Sequence, residues 1–522
     1  MLYLLIISFL FVALYLSVSL AYWLDFLLTI NFLSLSGNNW ILVLEFDNFT
    51  AGVLLMLGIC FSYVLFYTSH YFSGDTPGKE LNKIICLFVG VMASLVCTGD
   101  FLLTLIFWEY LGVVSFFLIL FYSSCLSLRS SIVTLVSSRF GDVCLFIIIG
   151  LSGYIFNCSL LSLVMILLII FTKSAVFPFT SWLLEAMRAP TPVSSLVHSS
   201  TLVAAGVWFA MRYDFLLFID NSFYFSVFLL ITIFITGVSC FFFLDLKKIV
   251  ALSTCNNISW CILYLIFGDC ILSLFQLVSH GVSKCMLFIL IGDVMSGAGG
   301  SQNSNCVYSP VLYGNWNVFG LFSVILGLSG IPFIGIFYTK HFLLASFMGI
   351  SNLLLGASVL FCMFLSYLYS FRFCGILLNT KTAIVSGNLY SFNAGGIIYI
   401  WLAINFFLCL TLDETVTLGW LGSIALIGFQ LISCVVAWNL YNSIFFSTWS
   451  SSLFGTDNVV EFVYGTFWAA LSVISMFLYR WDKSMLSLFN GAGNISLSLY
   501  TTNSLNIIII SILLFLVCYI II

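Results

Sequence analysis

The sequence predicts an all-α polytopic membrane protein, and three observations carry that prediction. Of 522 residues, 62% are hydrophobic and only 7% charged, against roughly 25% charged in soluble domains. The mean hydropathy of +1.21 leaves no polar stretch large enough for a water-soluble module. Apolar runs recur at fairly regular intervals with short polar breaks; at ~20 residues per span the chain holds about 14–16 transmembrane helices. Helices are expected because lipid offers the backbone no hydrogen-bond partner. Fifteen Lys plus Arg against nineteen Asp plus Glu give a net charge of −4.

The opening MLYLLIISFLFVALYLSVSLAYW has no basic residue before its apolar run and no clear small-residue cleavage site, so it reads as a first transmembrane helix rather than a removed signal. Apolar segments are then punctuated by short turns such as SGDTPGKELNK (73–83) and LDLKK (244–248), with longer breaks at 296–306 and 379–388. Lys79, Lys83, Arg129, Lys247, Lys248, Arg372 and Lys381 cluster at or near such breaks and orient the chain only weakly. Two interior segments place a Lys beside a helix-breaking Pro: FTKSAVFPFTSW (171–182) and GIPFIGIFYTKHF (330–342). Thr172-Lys173 precedes Pro178-Phe179, whereas Thr339-Lys340 follows Pro332-Phe333. Two discontinuous helices in an inverted repeat would leave that reversed order, and so would chance; in the first case the breaks mark a transport site. The stretch 457–483 is apolar with Glu461, Arg480 and Asp482 near its ends. It fits a further span or a lateral helix lying along the membrane, since hydropathy does not separate the two.

An ionisable residue near the centre of a span costs roughly 2.5–3.5 kcal/mol on insertion scales, so each needs a reason. Glu109 lies deep in FLLTLIFWEYLGVVSFFLILFY, either as a working carboxylate or as one that ties two helices together. Lys173 and Lys340 stand where helices break and carbonyls are freed; snorkelling to an interface is the alternative. His280 and Lys284 are four apart and share one helical face, an arrangement suited to a proton relay. His198 has small hydroxylated neighbours that would admit water, while Arg139 and Asp142, three apart, could simply neutralise one another. Swinging a carboxylate from ~4 to ~10 Å from such a Lys weakens their attraction from about 4 to about 1.7 kcal/mol at a dielectric near 20. Moving one charge against 100 mV takes about 2.3 kcal/mol, so one partner swing is of the right size.

No Walker loop, no GxGxxG after a strand and no CxxC occur, and no histidine pair has haem-ligand spacing. The seventeen cysteines are scattered singly and read as small buried apolar residues. Energy therefore has to come from a partner or an ion gradient. The stretch WLLEAMRAPTPVSSLVHSSTLVAAG resembles the signature of the antiporter-like subunits of respiratory complex I, the NADH-ubiquinone oxidoreductase. FDNFTAGVLLML, WEYLGVVSFFLI, SSRFGD, DLKKIVALSTCNNIS, SHGVSKCMLF and GIPFIGIFYTKHF follow in the family's order, from about Glu45 to Arg372.

The resemblance implies a proton-translocating membrane-arm subunit in the mitochondrial inner membrane. The abundance of Phe, 56 residues, fits a T-rich organelle gene. It implies Glu109 and Lys173 as a carboxylate and lysine pair, His198 as a water-linked relay, and Lys284 with His280 at the centre. Lys340 is the lysine of the second broken helix, and Arg139 and Asp142 are supporting residues. It further implies residues 1–83 as N-terminal transmembrane helices, 84–215 as a first antiporter-like half broken near 173–180, and 216–378 as a second half broken near 330–342. Residues 379–522 are then C-terminal transmembrane helices with the lateral helix at about 457–490. FMN, iron-sulfur clusters and ubiquinone belong to partner subunits, with none in this chain; the other partners are membrane-arm and accessory subunits and lipids such as cardiolipin, and no nucleic acid. The chain departs from the pattern at Thr180, Arg188 and Gln276 and in GDVMSG, where histidines or a glutamate usually stand, which puts more weight on water and hydroxyls. A subunit of a multi-subunit sodium/proton antiporter shares the signature and is the alternative; a non-pumping scaffold is a third.

Overall fold

The computed structural model describes residues 26–35, 38–72, 75–150, 159–213, 222–267, 270–310, 314–330, 336–347, 353–378, 381–383, 395–410, 420–441, 456–479 and 510–511. The opening apolar run, Pro332-Phe333 and most of the stretch after 479 lie outside them. Among the described residues, nine helices are long and apolar enough to cross a membrane.

The first element is one the all-helical expectation did not contain. Strands β1 (Phe26–Leu35) and β2 (Asn38–Phe46) pair antiparallel, Thr29 opposite Val43 and Asn31 opposite Ile41. Thr29, Asn31 and Ser34 recur at every second or third position of β1, which suits a pleated strand better than a lipid-facing helix, and β2 pairs with it through the apolar run Trp40–Leu44. Helix α1 (Asn48–Tyr71) begins at a capping box in which Asp47 accepts from the Thr50 amide and the Thr50 hydroxyl accepts from the Asp47 amide, each at 2.9 Å.

Helices α2 (Thr76–Val96), α3 (Phe101–Ile119) and α4 (Cys125–Gly150) follow, then α5 (Ser159–Ser174) and the short α6 (Ser181–Ala186) across the first break. Next come α7 (Thr191–Leu196), a π-helical turn Val197–Thr201, and α8 (Leu202–Arg212). Helices α9 (Ser222–Phe242), α10 (Leu246–Ile266) and α11 (Cys270–Gly297) follow. Strand β3 (Tyr308–Pro310) precedes α12 (Gly314–Ser329), α13 (Ile336–Phe347) and α14 (Leu353–Leu378), and pairs in parallel with β4 (Lys381–Ala383). Helices α15 (Gly395–Leu410) and α16 (Trp420–Tyr441) complete this unit.

The bundle is ordered by polarity from the inside out. Thr191–Arg212 is wholly buried and has a mean hydropathy of only 1.3, whereas Tyr224–Phe242 reaches 2.4 and is two-thirds buried. Leu246–Ile266 and Cys270–Gly297 are also almost wholly enclosed. Lipid is as apolar as Leu, so polar residues gather between helices where they find partners, and the most apolar surfaces turn outward. These three enclosed segments carry His198, Lys247, His280 and Lys284, all buried.

Residues 455–522 form a separate compact unit. Its described helix, α17 (Thr456–Tyr479), is 24 residues long with Phe462, Trp468 and Val473 largely exposed. Its described part is about 36 Å long at 1.5 Å per residue and covers 457–479 of the 457–490 expected for a lateral helix; residues 480–509 lie outside the described set.

Candidate functional site

The first break is built from local backbone constraints. Helix α5 ends at Ser174, Ala175 takes a left-handed φ of 54°, and the Val176 amide bonds back to the Phe171 carbonyl at 3.1 Å. The Trp182 indole donates to the freed Thr172 carbonyl at 3.0 Å. Lys173 therefore stands in the last turn of α5, at the helix end where a cation is favoured, and is fully buried. The second break follows Ser329, where Gly330 has φ +90°. Its carbonyls are taken from afar: Lys340 Nζ donates to the Ser329 carbonyl at 2.7 Å and Gln430 Nε2 to the Gly330 carbonyl at 2.6 Å. Lys173 thus lies upstream of its break and Lys340 downstream of its own.

Four charges alternate across α3, α4 and α5. Glu109 on α3 is paired with Arg139 on α4. Arg139 also lies 3.6 Å from Asp142, and Asp142 lies 3.8 Å from Lys173 Nζ. Glu109 and Arg139 are about one-third and two-fifths exposed, whereas Asp142 and Lys173 are 4% and 1% exposed. The row leads from a partly open carboxylate to an enclosed ammonium, which also rests 5.1 Å from the Trp108 ring centroid. Glu109 and Lys173, which the resemblance pairs, are linked by ion pairs through Arg139 and Asp142, and Glu109 also acts on Lys173 electrostatically. Arg139 and Asp142 do touch each other, and each also engages a second charge.

His198 lies in the π turn, fully buried, with its ring 6.3 Å from that of Trp182. The turn is held by hydroxyls bonding backward, Thr201 to the Leu196 carbonyl at 3.0 Å among them. The Ala186 backbone and Lys247 are the imidazole's polar neighbours. Lys247 is a correction to the sequence analysis, which grouped it with Lys248 at a polar break. It is 4% exposed and donates to the Ala189 carbonyl at 3.2 Å, while Lys248 pairs outside with Asp245 at 3.4 Å. Adjacent lysines at a helix start point about 100° apart, so one can enter while the other stays out.

His280 and Lys284 are both buried on α11 and interact electrostatically. Lys284 is hydrogen-bonded to the Ser253 hydroxyl of α10. Lys340 is held by the Ser366 hydroxyl at 2.8 Å as well as by the Ser329 carbonyl, and lies 4.0 Å over the Tyr367 ring. A cavity of about 20 Å³ is lined by Lys284, Ser253, Asn257, Ser329, Tyr369 and Ser370 among others, and Ser329 is the residue whose carbonyl holds Lys340. That volume is room for about one water. Its neighbour Gln276 accepts from the Thr339 hydroxyl at 2.7 Å, tying α11 to the broken helix. Among the described residues no hydrogen bond or ion pair joins Lys173 to His198, or His198 to His280.

Two buried arginines were not singled out from the sequence as site residues. Arg212 pairs with Asp47 at 2.6 Å and Glu45 at 3.2 Å and donates to the Thr98 carbonyl at 3.1 Å, fastening the hairpin to the bundle. Arg372 donates to the Cys240 and Phe243 carbonyls at 2.9 and 3.0 Å, closing the end of α9. Their only sequence signal is a charge at the end of an apolar run.

A membrane bundle with two broken helices and a row of ionisable groups that ends on an enclosed lysine has an antiporter-like build. Residues 98–368 match the profile of the NADH:quinone oxidoreductase/Mrp antiporter transmembrane family, and the chain belongs to that family. NADH-ubiquinone oxidoreductase chain 5 of Caenorhabditis elegans is 35% identical over 357 residues, 66% of each chain. Its counterpart from Anopheles arabiensis is 32% identical over 60% of this chain and 85% of its own. The chain therefore spans just under two thirds of the nematode relative. Among solved structures, the Mrp complex from Dietzia sp. DQ12-45-1b superimposes with a TM-score of 0.70 at 19% identity, covering 93% of this chain and 60% of that one. An archaeal membrane-bound sulfane sulfur reductase gives 0.65 at 16%, covering 86% and 93%. These two likenesses are of fold.

Proposed function

We propose that this chain is a proton-translocating membrane-arm subunit of respiratory complex I in the mitochondrial inner membrane, coupling NADH:ubiquinone electron transfer elsewhere in the complex to proton movement. The observation that carries it is the alternating row Glu109, Arg139, Asp142, Lys173, running from a partly open carboxylate to a buried ammonium. A change at a subunit interface that draws Glu109 off Arg139 frees Arg139 to compete for Asp142, and Lys173 then loses its counter-charge and its proton. His198 takes part as a buried relay beside Lys247. His280, Lys284 and Lys340 carry the proton onward, with a water in the small cavity beside Lys284 bridging toward Ser329, the residue that holds Lys340. FMN, iron-sulfur clusters and ubiquinone reside in partner subunits; membrane-arm and accessory subunits and lipids such as cardiolipin surround this chain, and α17 opens the lateral helix.

The test is Lys284→Ala in the assembled complex, with proton pumping and NADH oxidation followed together. Both fall if the reading holds; unchanged pumping in a fully assembled variant refutes the central role of Lys284. The likeness in fold to an Mrp complex supports a second reading, a subunit of a multi-subunit sodium/proton antiporter. Mass spectrometry of the native complex separates the two. Flavin- and iron-sulfur-bearing subunits co-purify in the first case, and integral membrane subunits alone in the second.

A further inference from the structure

Met56 and Cys60 lie one turn apart on the same face of α1 and are 0% and 1% exposed. That face meets α11 at Gly281, where Met56 Sδ occupies the place a Cβ would take, so the glycine lets the thioether lie against the α11 backbone. Cys285, one turn beyond Gly281 and 0% exposed, points its thiol at the same spot. Its sulfur is 3.9 Å from the Cys60 carbonyl, and the Cys60 sulfur is 3.9 Å from the Gly281 carbonyl. The two thiols are in side-chain contact, with the Ser195 hydroxyl of α7 beside them. Met56 Sδ and Cys60 Sγ thus both lie against Gly281, with the Cys285 thiol beside Cys60, along one buried seam between α1 and α11.

We propose that Met56, Cys60 and Cys285 form a binding site for a soft monovalent cation of the copper(I) or silver(I) class. Thiolate and thioether ligands together select such ions, whereas zinc takes four ligands in a tetrahedron. Charge points the same way. A monovalent ion that displaces one thiol proton to solvent leaves an ion, one thiolate, one thiol and a thioether, neutral overall, which a low-dielectric interior tolerates. A second buried thiol pair, Cys240 and Cys255, is unsuited, because the Lys284 ammonium interacts with both. An ion at Cys285 fixes α11 against α1 one residue beyond Lys284. The site stands independently of the proton-pumping reading, since its test reads binding.

The experiment loads the purified native complex with silver(I), removes excess ion, and counts bound silver per complex with its sulfur coordination by X-ray absorption. The Cys60→Ser/Cys285→Ser complex loses one equivalent relative to wild type. Met56→Leu, close in volume and apolar, keeps the equivalent but weakens it about tenfold, or ~1.4 kcal/mol, and remains informative if the serine variant fails to assemble. An unchanged silver count in the serine variant, or wild-type affinity in Met56→Leu, overturns the proposal.

Discussion

Replacing Asp142 by Asn removes the one carboxylate within ion-pair distance of Lys173 among the described residues, 3.8 Å away with both groups enclosed. At an effective dielectric near 20 that attraction is about 4 kcal/mol, roughly a thousandfold in an equilibrium. Leaving a buried charge without its partner costs about 3–5 kcal/mol in measured cases. Arg139, 3.6 Å from the same carboxylate, is two-fifths exposed and its share is screened. Asp142→Asn is therefore expected to lower the yield of assembled complex and cut pumping at least about tenfold, with Lys173→Met also inactive. The informative variant is the double substitution, which removes both charges and recovers stability without recovering pumping. Unfolding in mixed micelles of rising denaturing-detergent content gives the double-mutant cycle, with an expected coupling of about 3 kcal/mol. A coupling below about 0.5 kcal/mol, the scatter of independent sites, refutes the reasoning. Glu109→Gln is the contrast: its pair with Arg139 is partly open, so it costs under about 1 kcal/mol of stability while lowering pumping.

Lys340→Met strands the buried Ser329 carbonyl and is expected to cost about 1–3 kcal/mol; pumping falls in the assembled complex, and wild-type pumping there removes Lys340 from the pathway. Gly330→Ala puts a Cβ on a residue at φ +90°, costing about 1–3 kcal/mol, readable as a lower thermal midpoint of the complex. Arg212→Gln breaks its bonds to Asp47, Glu45 and Thr98. Each charged hydrogen bond is worth about 1.5–3 kcal/mol, so amide exchange in β1 and β2 should quicken selectively; uniform protection would show that the hairpin holds without it.

The membrane class, the two breaks and nearly all the candidate ionisable positions were legible in the sequence because each rests on a local cost. A charge in a span, a Pro in a helix and an apolar run of spanning length are visible at their own positions whatever the chain does elsewhere. The hairpin at 26–46 was hidden by the same averaging, since hydropathy over a long window counts an apolar ribbon as a helix. Which partner each charge takes belonged to the tertiary structure. Glu109 meets Arg139, 30 positions on, Gln430 reaches Gly330 across 100, and Cys60 lies against Gly281 across 221. Lys247 and Lys248 are identical by composition, and packing buries one and leaves the other outside. Coulomb energy depends on separation in space and on exclusion of water, and both are set only when distant helices meet.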